Sequence, residues 1–287
     1  MLLRFTKMHG LGNDFVLLDL ISQNIHIRED QIRELADRRT GIGFDQLLLA
    51  EPPQDPDADF RYSIFNADGA PAEQCGNGAR CFMRFVRDRG LTTKTRIVLE
   101  TSTGKIESKL EKDGSITVNM GPPALSPEQI PFLADCSSVQ YDLKLCSPLP
   151  VPNGCHSTEE VRVTAVGIGN PHAVLNVDNV DEAPVNQLGP LIENHKRFPQ
   201  RVNVGFMQVT SRNEIKLRVF ERGVGETRSC GSGACAAVVA GRLQGLLDDQ
   251  VSVALPGGTL KITWSGDNSD ILLSGPACRV YEGRLQI

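Results

Sequence analysis

The chain has 287 residues, of which 40% are hydrophobic and 23% charged, and its net charge is −5. That length suits one large domain or two of about 140 residues, and the balance is ordinary for a globular protein in water. Nothing offers a basic surface for nucleic acid, and no apolar run is long enough to span a bilayer, so neither partner is expected.

The opening residues, Met1 to Lys7, lack the apolar stretch of a secretory signal. The eight cysteines are therefore expected as reduced thiols in the cytoplasm rather than as a disulfide framework. Gly10-Leu11-Gly12-Asn13 is the first glycine-rich landmark. Asp30 to Arg39 carries Ile32, Leu35 and Ala36 on one face and predicts a helix that stops before Gly41. Gly43-Phe44-Asp45-Gln46 follows, and alternation at Phe60, Tyr62 and Ile64 predicts a strand. Cys75-Gly76-Asn77-Gly78-Ala79 opens a helix with Phe82, Phe85 and Val86 at helical spacing, ending near Gly90. Strands are predicted at Ile106–Leu110 and Ile116–Met120, with turns at Asp113-Gly114 and Gly121-Pro122-Pro123. The stretch from Pro122 to Glu160 is rich in Pro, Ser and Cys, has little periodicity, and is expected to hold an inter-domain connection. Alternation resumes at Ile215, Leu217 and Val219 and again at Leu260, Ile262 and Trp264. Between them, the segment after Gly233 is small and apolar on every side, the mark of a helix buried all round.

The landmarks recur in order. Gly10 to Asn13 is answered by Gly167-Ile168-Gly169-Asn170, and Gly43 to Gln46 by Gly205-Phe206-Met207-Gln208. The cysteine pentapeptide returns as Cys230-Gly231-Ser232-Gly233-Ala234, and Gly121-Pro122 as Gly275-Pro276. A duplication in which only packing persists would repeat aliphatic residues; Gly, Asn, Gln and Cys repeat here. The expectation is an α+β fold of two pseudo-symmetric halves, each a curved, barrel-like β-sheet around a central helix.

A cysteine at a helix mouth meets unpaired backbone N–H groups and the positive end of the helix dipole, which favour thiolate. Thiols so placed titrate at roughly 3.5–7.5 instead of about 8.5. The same amides, at Gly76, Asn77, Gly231 and Ser232, suit a substrate carboxylate. If the halves face each other, Cys75 and Cys230 flank one cleft lined by Asn13, Asn66, Asn170 and Glu221. That arrangement fits racemisation: one thiolate removes an α-proton and the opposite thiol returns one to the other face. His172 and Glu221 are candidates to assist the thiols. The plain alternatives are a turn or packing histidine after Asn-Pro, and a surface ion pair at Glu221-Arg222. Cys81, Cys235 and Cys278 read as small core residues, and Cys136, Cys146 and Cys155 as incidental.

Five segments together carry a resemblance to the bacterial diaminopimelate epimerase family. They are Met8 to Phe15, Asn66 to Gly69, Gln74 to Arg80, Gly169 to His172, and Glu221-Arg222-Gly223 with Cys230 to Ala234. The resemblance spans nearly the whole chain and is thinnest at 123–160. It implies a cofactor-independent, PLP-independent isomerase without a metal, interconverting LL- and meso-diaminopimelate for lysine and peptidoglycan precursor synthesis. Its fold implies halves 1–122 with 276–287, and 123–275. It also implies that Cys75 and Cys230 are the acid–base thiols, assisted by His172 and Glu221. Gly76, Asn77, Gly231 and Ser232 would hold the reacting carboxylate, and Asn13, Gln46, Asn66, Asn170, Asn203, Glu221 and Arg222 the rest of the substrate. A homodimer, with Tyr281 at the contact, is a further implication.

Two rivals stand beside this reading. A proline- or hydroxyproline-type racemase shares the paired thiols, but Arg222 and the many amides suit a larger substrate with two carboxylates. A redox dithiol protein would also need two facing cysteines. Structural zinc is disfavoured because neither cysteine segment, Cys75 to Cys81 or Cys230 to Cys235, joins a tight C-x₂₋₄-C pair to matching His spacing. A phosphate loop is disfavoured because neither glycine segment continues into Lys-Ser or Lys-Thr.

Overall fold

The computed structural model describes residues 2–72, 75–146 and 158–286, and the chain divides into two units, Met1–Met120 with Leu273–Ile287, and Gly121–Leu272. In the first unit β1 (Leu2–Gly10) and β2 (Asn13–Asp19) form an antiparallel hairpin. Its two-residue turn holds Leu11 at φ 56° and Gly12 at φ 91°, the pair of left-handed residues that matches the twist of a hairpin. The chain crosses over through α1 (Glu29–Ala36) and returns as β3 (Gln46–Glu51), parallel to β2. Ile32, Leu35 and Ala36 of α1 are buried with Val16, Leu18, Leu47 and Leu49 of the sheet.

β4 (Phe60–Asn66) runs antiparallel to β3, and α2 (Gly76–Asp88) then enters the interior. Its Phe82, Met83, Phe85 and Val86 are buried with Phe15, Leu48 and Tyr62, each large apolar side chain contributing about 1.5–3 kcal/mol. β5 (Arg96–Thr101) lies parallel to β4, and β6 (Gly104–Leu110) and β7 (Ile116–Asn119) add successive antiparallel strands. α2 thus packs on β1, β2, β3, β6 and β7, a helix wrapped by its own sheet.

The second unit repeats this plan. β8 (Tyr141–Cys146) pairs with β9 (Thr158–Gly167), which turns into β10 (Pro171–Asn176). Crossover helix α3 (Val185–Glu193) leads to β11 (Asn203–Ser211), parallel to β10, and β12 (Glu214–Glu221) returns antiparallel. Short β13 (Gly225–Thr227) folds back on β12, and α4 (Gly231–Leu243) follows. β14 (Gln250–Leu255) is parallel to β12 and paired with β15 (Gly258–Thr263). α4 packs on β9, β10, β11, β12 and β15, and Ala234 to Gly241 are all buried, as an all-apolar helix requires. The chain ends with β16 (Leu272–Gly275) and β17 (Cys278–Gln286), the latter antiparallel to β1 from Leu2 to His9.

Several expectations need correction. The helix expected at 30–39 ends at Ala36, because Asp37 leaves helical geometry and its carboxylate takes the amides of Arg39 and Thr40 at 2.8 and 2.7 Å. α3 was not foreseen; Gly189 and Pro190 sit inside it, and both read as helix breakers. Gly189 is required there because the Phe220 ring packs where its β-carbon would stand. The pairing of Gly43–Gln46 with Gly205–Gln208 fails, since the first set leads into β3 and only Gln46 lies in it, while the second lies wholly within β11. The counterpart of Gln46 is Asn203: each opens the strand that follows the crossover helix. Cys278 is exposed on β17 rather than part of a core, whereas Cys81 and Cys235 are buried. Cys136 is exposed, and Cys155 lies outside the described residues. Among the described residues no helix is long and apolar enough to cross a membrane.

Candidate active site

Cys75 is the N-cap of α2, with the extended backbone (φ −131°, ψ 106°) that a cap needs. Its Sγ accepts the Gly78 amide at 3.4 Å, as the oxygen of a serine cap would. Gly78 is a glycine for lack of room, since a β-carbon there would run into the Tyr62 hydroxyl. That hydroxyl donates to the Cys75 carbonyl at 3.4 Å, fixing the entry to the helix. Asn13, at the start of β2, brings Oδ1 to 3.8 Å from Sγ, and Asn77 Nδ2 donates to the same oxygen at 3.3 Å. Gln46 and Asn66 stand opposite each other at the ends of β3 and β4, and Gln46 Nε2 donates to Asn66 Oδ1 at 3.0 Å. Gly76 is buried in the first turn of α2.

The second unit builds the matching arrangement. Cys230 is the N-cap of α4 (φ −115°, ψ 108°) and only 4% exposed, with Ser232 Oγ at 3.7 Å from its sulfur. Gly231 begins the helix and is buried. Glu221 ends β12 and its carboxylate accepts the Thr227 hydroxyl across the β12–β13 hairpin. Burial first, and the Glu221 charge second, push the Cys230 thiol well above its ordinary range, against the pull of Ser232 and the Gly233 amide. This overturns the expectation of a lowered pKa for Cys230. The helix mouth favours thiolate, but removing the sulfur from water beside a carboxylate costs more.

His172 is buried on β10, opposite Asn203 in the parallel pairing, and its Nε2 lies 2.9 Å from Asn170 Oδ1. Burial, reinforced by the Arg222 charge, pushes it down to about 3, so it is neutral at neutral pH. With Asn170 Oδ1 as acceptor, Nε2 carries the proton and Nδ1 is the basic nitrogen. Asn203 donates Nδ2 to the Pro171 carbonyl at 3.1 Å and accepts the Arg222 amide at 2.9 Å. Arg222 Nη1 donates to the Gln200 carbonyl at 3.0 Å, which sets where its side chain lies.

The structure therefore gathers Cys75, Gly76, Asn77 and Asn13 at the mouth of α2, with Gln46 and Asn66 as a bonded pair. It gathers Cys230, Ser232 and Glu221 at the mouth of α4, and links Asn170 with His172 and Asn203 with Arg222. Arg80, Thr227 and Asp45 were given no role from sequence. Arg80 is fully buried and donates to Asn77 Oδ1 at 2.9 Å, to the Gly76 carbonyl at 3.4 Å and to the Pro276 carbonyl at 3.2 Å. The signal was present: an arginine between Ala79 and Cys81 sits in a helix otherwise apolar there, and a charge so placed needs a purpose.

The family model described as diaminopimelate epimerase matches residues 5–126 and 164–280. A diaminopimelate epimerase of Azotobacter vinelandii is 55% identical over the full length of both chains, and one of Pseudomonas aeruginosa is 54% identical over the same extent. Among solved structures, a hydroxyproline epimerase from Agrobacterium vitis superposes with a TM-score of 0.66 at 15% identity, covering 99% of this chain and 92% of that one. That likeness concerns the fold, while the matched sequence length and the paired capping cysteines concern descent. On those grounds the chain belongs to the diaminopimelate epimerase family.

Proposed function

We propose that this protein interconverts LL- and meso-diaminopimelate by proton transfer at one α-carbon, without a cofactor. The observation that carries the reading is the pair of cysteines capping buried helices at equivalent points of a repeated topology. Inverting a stereocentre needs a base for one face and an acid for the other, and a chain with two like thiols has both. In the forward step a thiolate takes the α-proton, the electron pair stays on carbon, and the second thiol gives its proton to the opposite face. In the reverse step the two exchange roles.

The first-turn amides at Gly76, Asn77, Gly231 and Ser232 hold the reacting carboxylate and stabilise charge that develops beside it. Asn13, Gln46, Asn66, Asn170 and Asn203 bind the remainder, and the Arg222 guanidinium takes the distal carboxylate through a bidentate contact. Cys230, protonated at neutral pH through burial and Glu221, is a ready donor. Glu221 and neutral His172 receive protons when the thiols must shed them. We further infer a cytoplasmic homodimer serving lysine and peptidoglycan precursor synthesis, with half-exposed Tyr281 on β17 as a contact residue; sedimentation of wild type against Tyr281→Asp measures the association.

The decisive experiment incubates LL-diaminopimelate with the protein in heavy water. Deuterium should enter one α-position as the meso isomer appears. Epimerisation without solvent-derived deuterium, or no epimerisation at all, sinks the proposal.

A further inference from the structure

Asp45 stands beside Gln46 in the same motif, yet the chemistry above gives Asp45 no task. Its carboxylate is gripped by Arg38 Nη2 at 2.7 Å, by the Asp14 amide at 3.0 Å and by Asn13 Nδ2 at 2.9 Å. A carboxylate can only accept, so Asn13 turns its NH₂ towards Asp45 and its oxygen away. That oxygen is the atom 3.8 Å from Cys75 Sγ, and it also takes the Asn77 hydrogen at 3.3 Å. The sense of Asn77 is set from the other end. The Arg80 guanidinium can only donate, and it donates to Asn77 Oδ1 at 2.9 Å. Two carboxamides thus stand head to tail between a buried cation and an anchored anion.

Taking Cys75 as an acid–base thiol, as the proposed function does, we propose that Asp45 is a positioning residue: it holds Asn13 with an acceptor oxygen facing the sulfur. An acceptor there receives the S–H hydrogen and favours the thiol, whereas a flipped amide would donate N–H to the sulfur and favour the thiolate. The charged groups around this chain in the first unit are Arg80, Asp45, Asp14, Lys7 and Arg38, and the titratable Tyr62 and Cys81 interact with Cys75 itself. Asp14 keeps a constant charge near neutrality: burial raises its pKa, but hydrogen bonds from Arg38 and Lys7 prevail and hold it well below the usual carboxylate range.

The test needs no diaminopimelate and so is separate from the deuterium experiment. The full-length protein is alkylated with iodoacetamide over a range of pH, and the Cys75 peptide is quantified by mass spectrometry. Asp45→Ala should speed Cys75 alkylation at neutral pH by about three- to tenfold, the size of one hydrogen bond, and move the pH midpoint down. In an Asn13→Ala background the same substitution should change the rate by less than about twofold, because no amide is left to turn. Asp45→Asn, which keeps an acceptor oxygen but loses the charge, should stay within about twofold of wild type. Equal acceleration in both backgrounds would mean that Asp45 acts by charge alone. No acceleration in either would mean that Asn13 holds its sense without Asp45. Either result overturns the proposal, and circular dichroism of each variant shows that the fold is intact.

Discussion

At the residue scale, the sulfur of Cys230 is governed by two opposed effects, and burial prevails over the helix mouth. Neither thiol can act as both proton donor and acceptor in one turnover, so Cys75→Ala and Cys230→Ala should each lower kcat by about a thousandfold, within the range of general acid–base catalysis. Near-normal epimerisation by either variant would dismiss the two-thiol scheme. His172 gives a second prediction with a definite sign. It is held neutral in the fold down to about pH 3, while in an unfolded chain it gains a proton below about 6.5. Its contribution is fully present above 6.5 and is lost as pH falls towards 3, by about 1.4 kcal/mol per pH unit for one proton. Denaturant titrations of wild type and His172→Gln at pH 7.5 and 5 check this. The stability of the variant should depend less on pH, and parallel profiles would refute it. The candidate site residues stand out in the sequence because Gly, Asn and Cys recur where a core would need aliphatics. The protonation of Cys230 was not legible, because it depends on how much water reaches the sulfur and on its meeting Glu221, nine positions earlier in the chain.

At the element scale, both central helices begin with a cysteine cap and glycines, yet their faces are filled differently. α2 buries large rings, while α4 buries small residues on all sides. Gly78 allows α2 to lie against Tyr62. Gly78→Ala should therefore cost about 1–3 kcal/mol from overpacking, and Tyr62→Phe, which removes the obstructing hydroxyl, should recover part of it. Thermal melts of the two single variants and the double variant read this out; strictly additive losses would show that the collision is not the cause. Five strands, β4, β6, β7, β12 and β15, were legible from alternation, and both central helices from their glycine-rich starts. α3 was hidden because Gly189 and Pro190 argue against a helix, and the Phe220 ring lying over Gly189, which explains why that position is glycine, comes from a distant strand. The short strand β13 has three residues, too few to show any period.

At the scale of the whole molecule, the shared plan is a hairpin, a crossover helix, a parallel strand, an antiparallel return and then a capped helix. It places Gln46 and Asn66 in the first unit where Asn203 and Glu221 stand in the second. One copy keeps two amides; the other has exchanged one for a carboxylate beside a thiol, so the duplication has diverged in chemistry more than in form. The units also differ in closure. Gly121–Leu272 is continuous, whereas the first unit needs Leu273–Ile287 to complete it. Ending the chain after Ala277 should remove amide protection from β1 while leaving β10, β11 and β12 largely protected. Hydrogen exchange read by mass spectrometry measures this, and unchanged exchange in β1 would contradict it.

The pairing of β17 with β1 also sets an order of events during synthesis. Leu2 to His9 leave the ribosome well before their partners, Cys278 to Gln286, are translated. At roughly 5–20 residues per second the nascent strand waits tens of seconds with one edge open, long enough for holding factors to bind it. The half that is begun first is the half that is finished last.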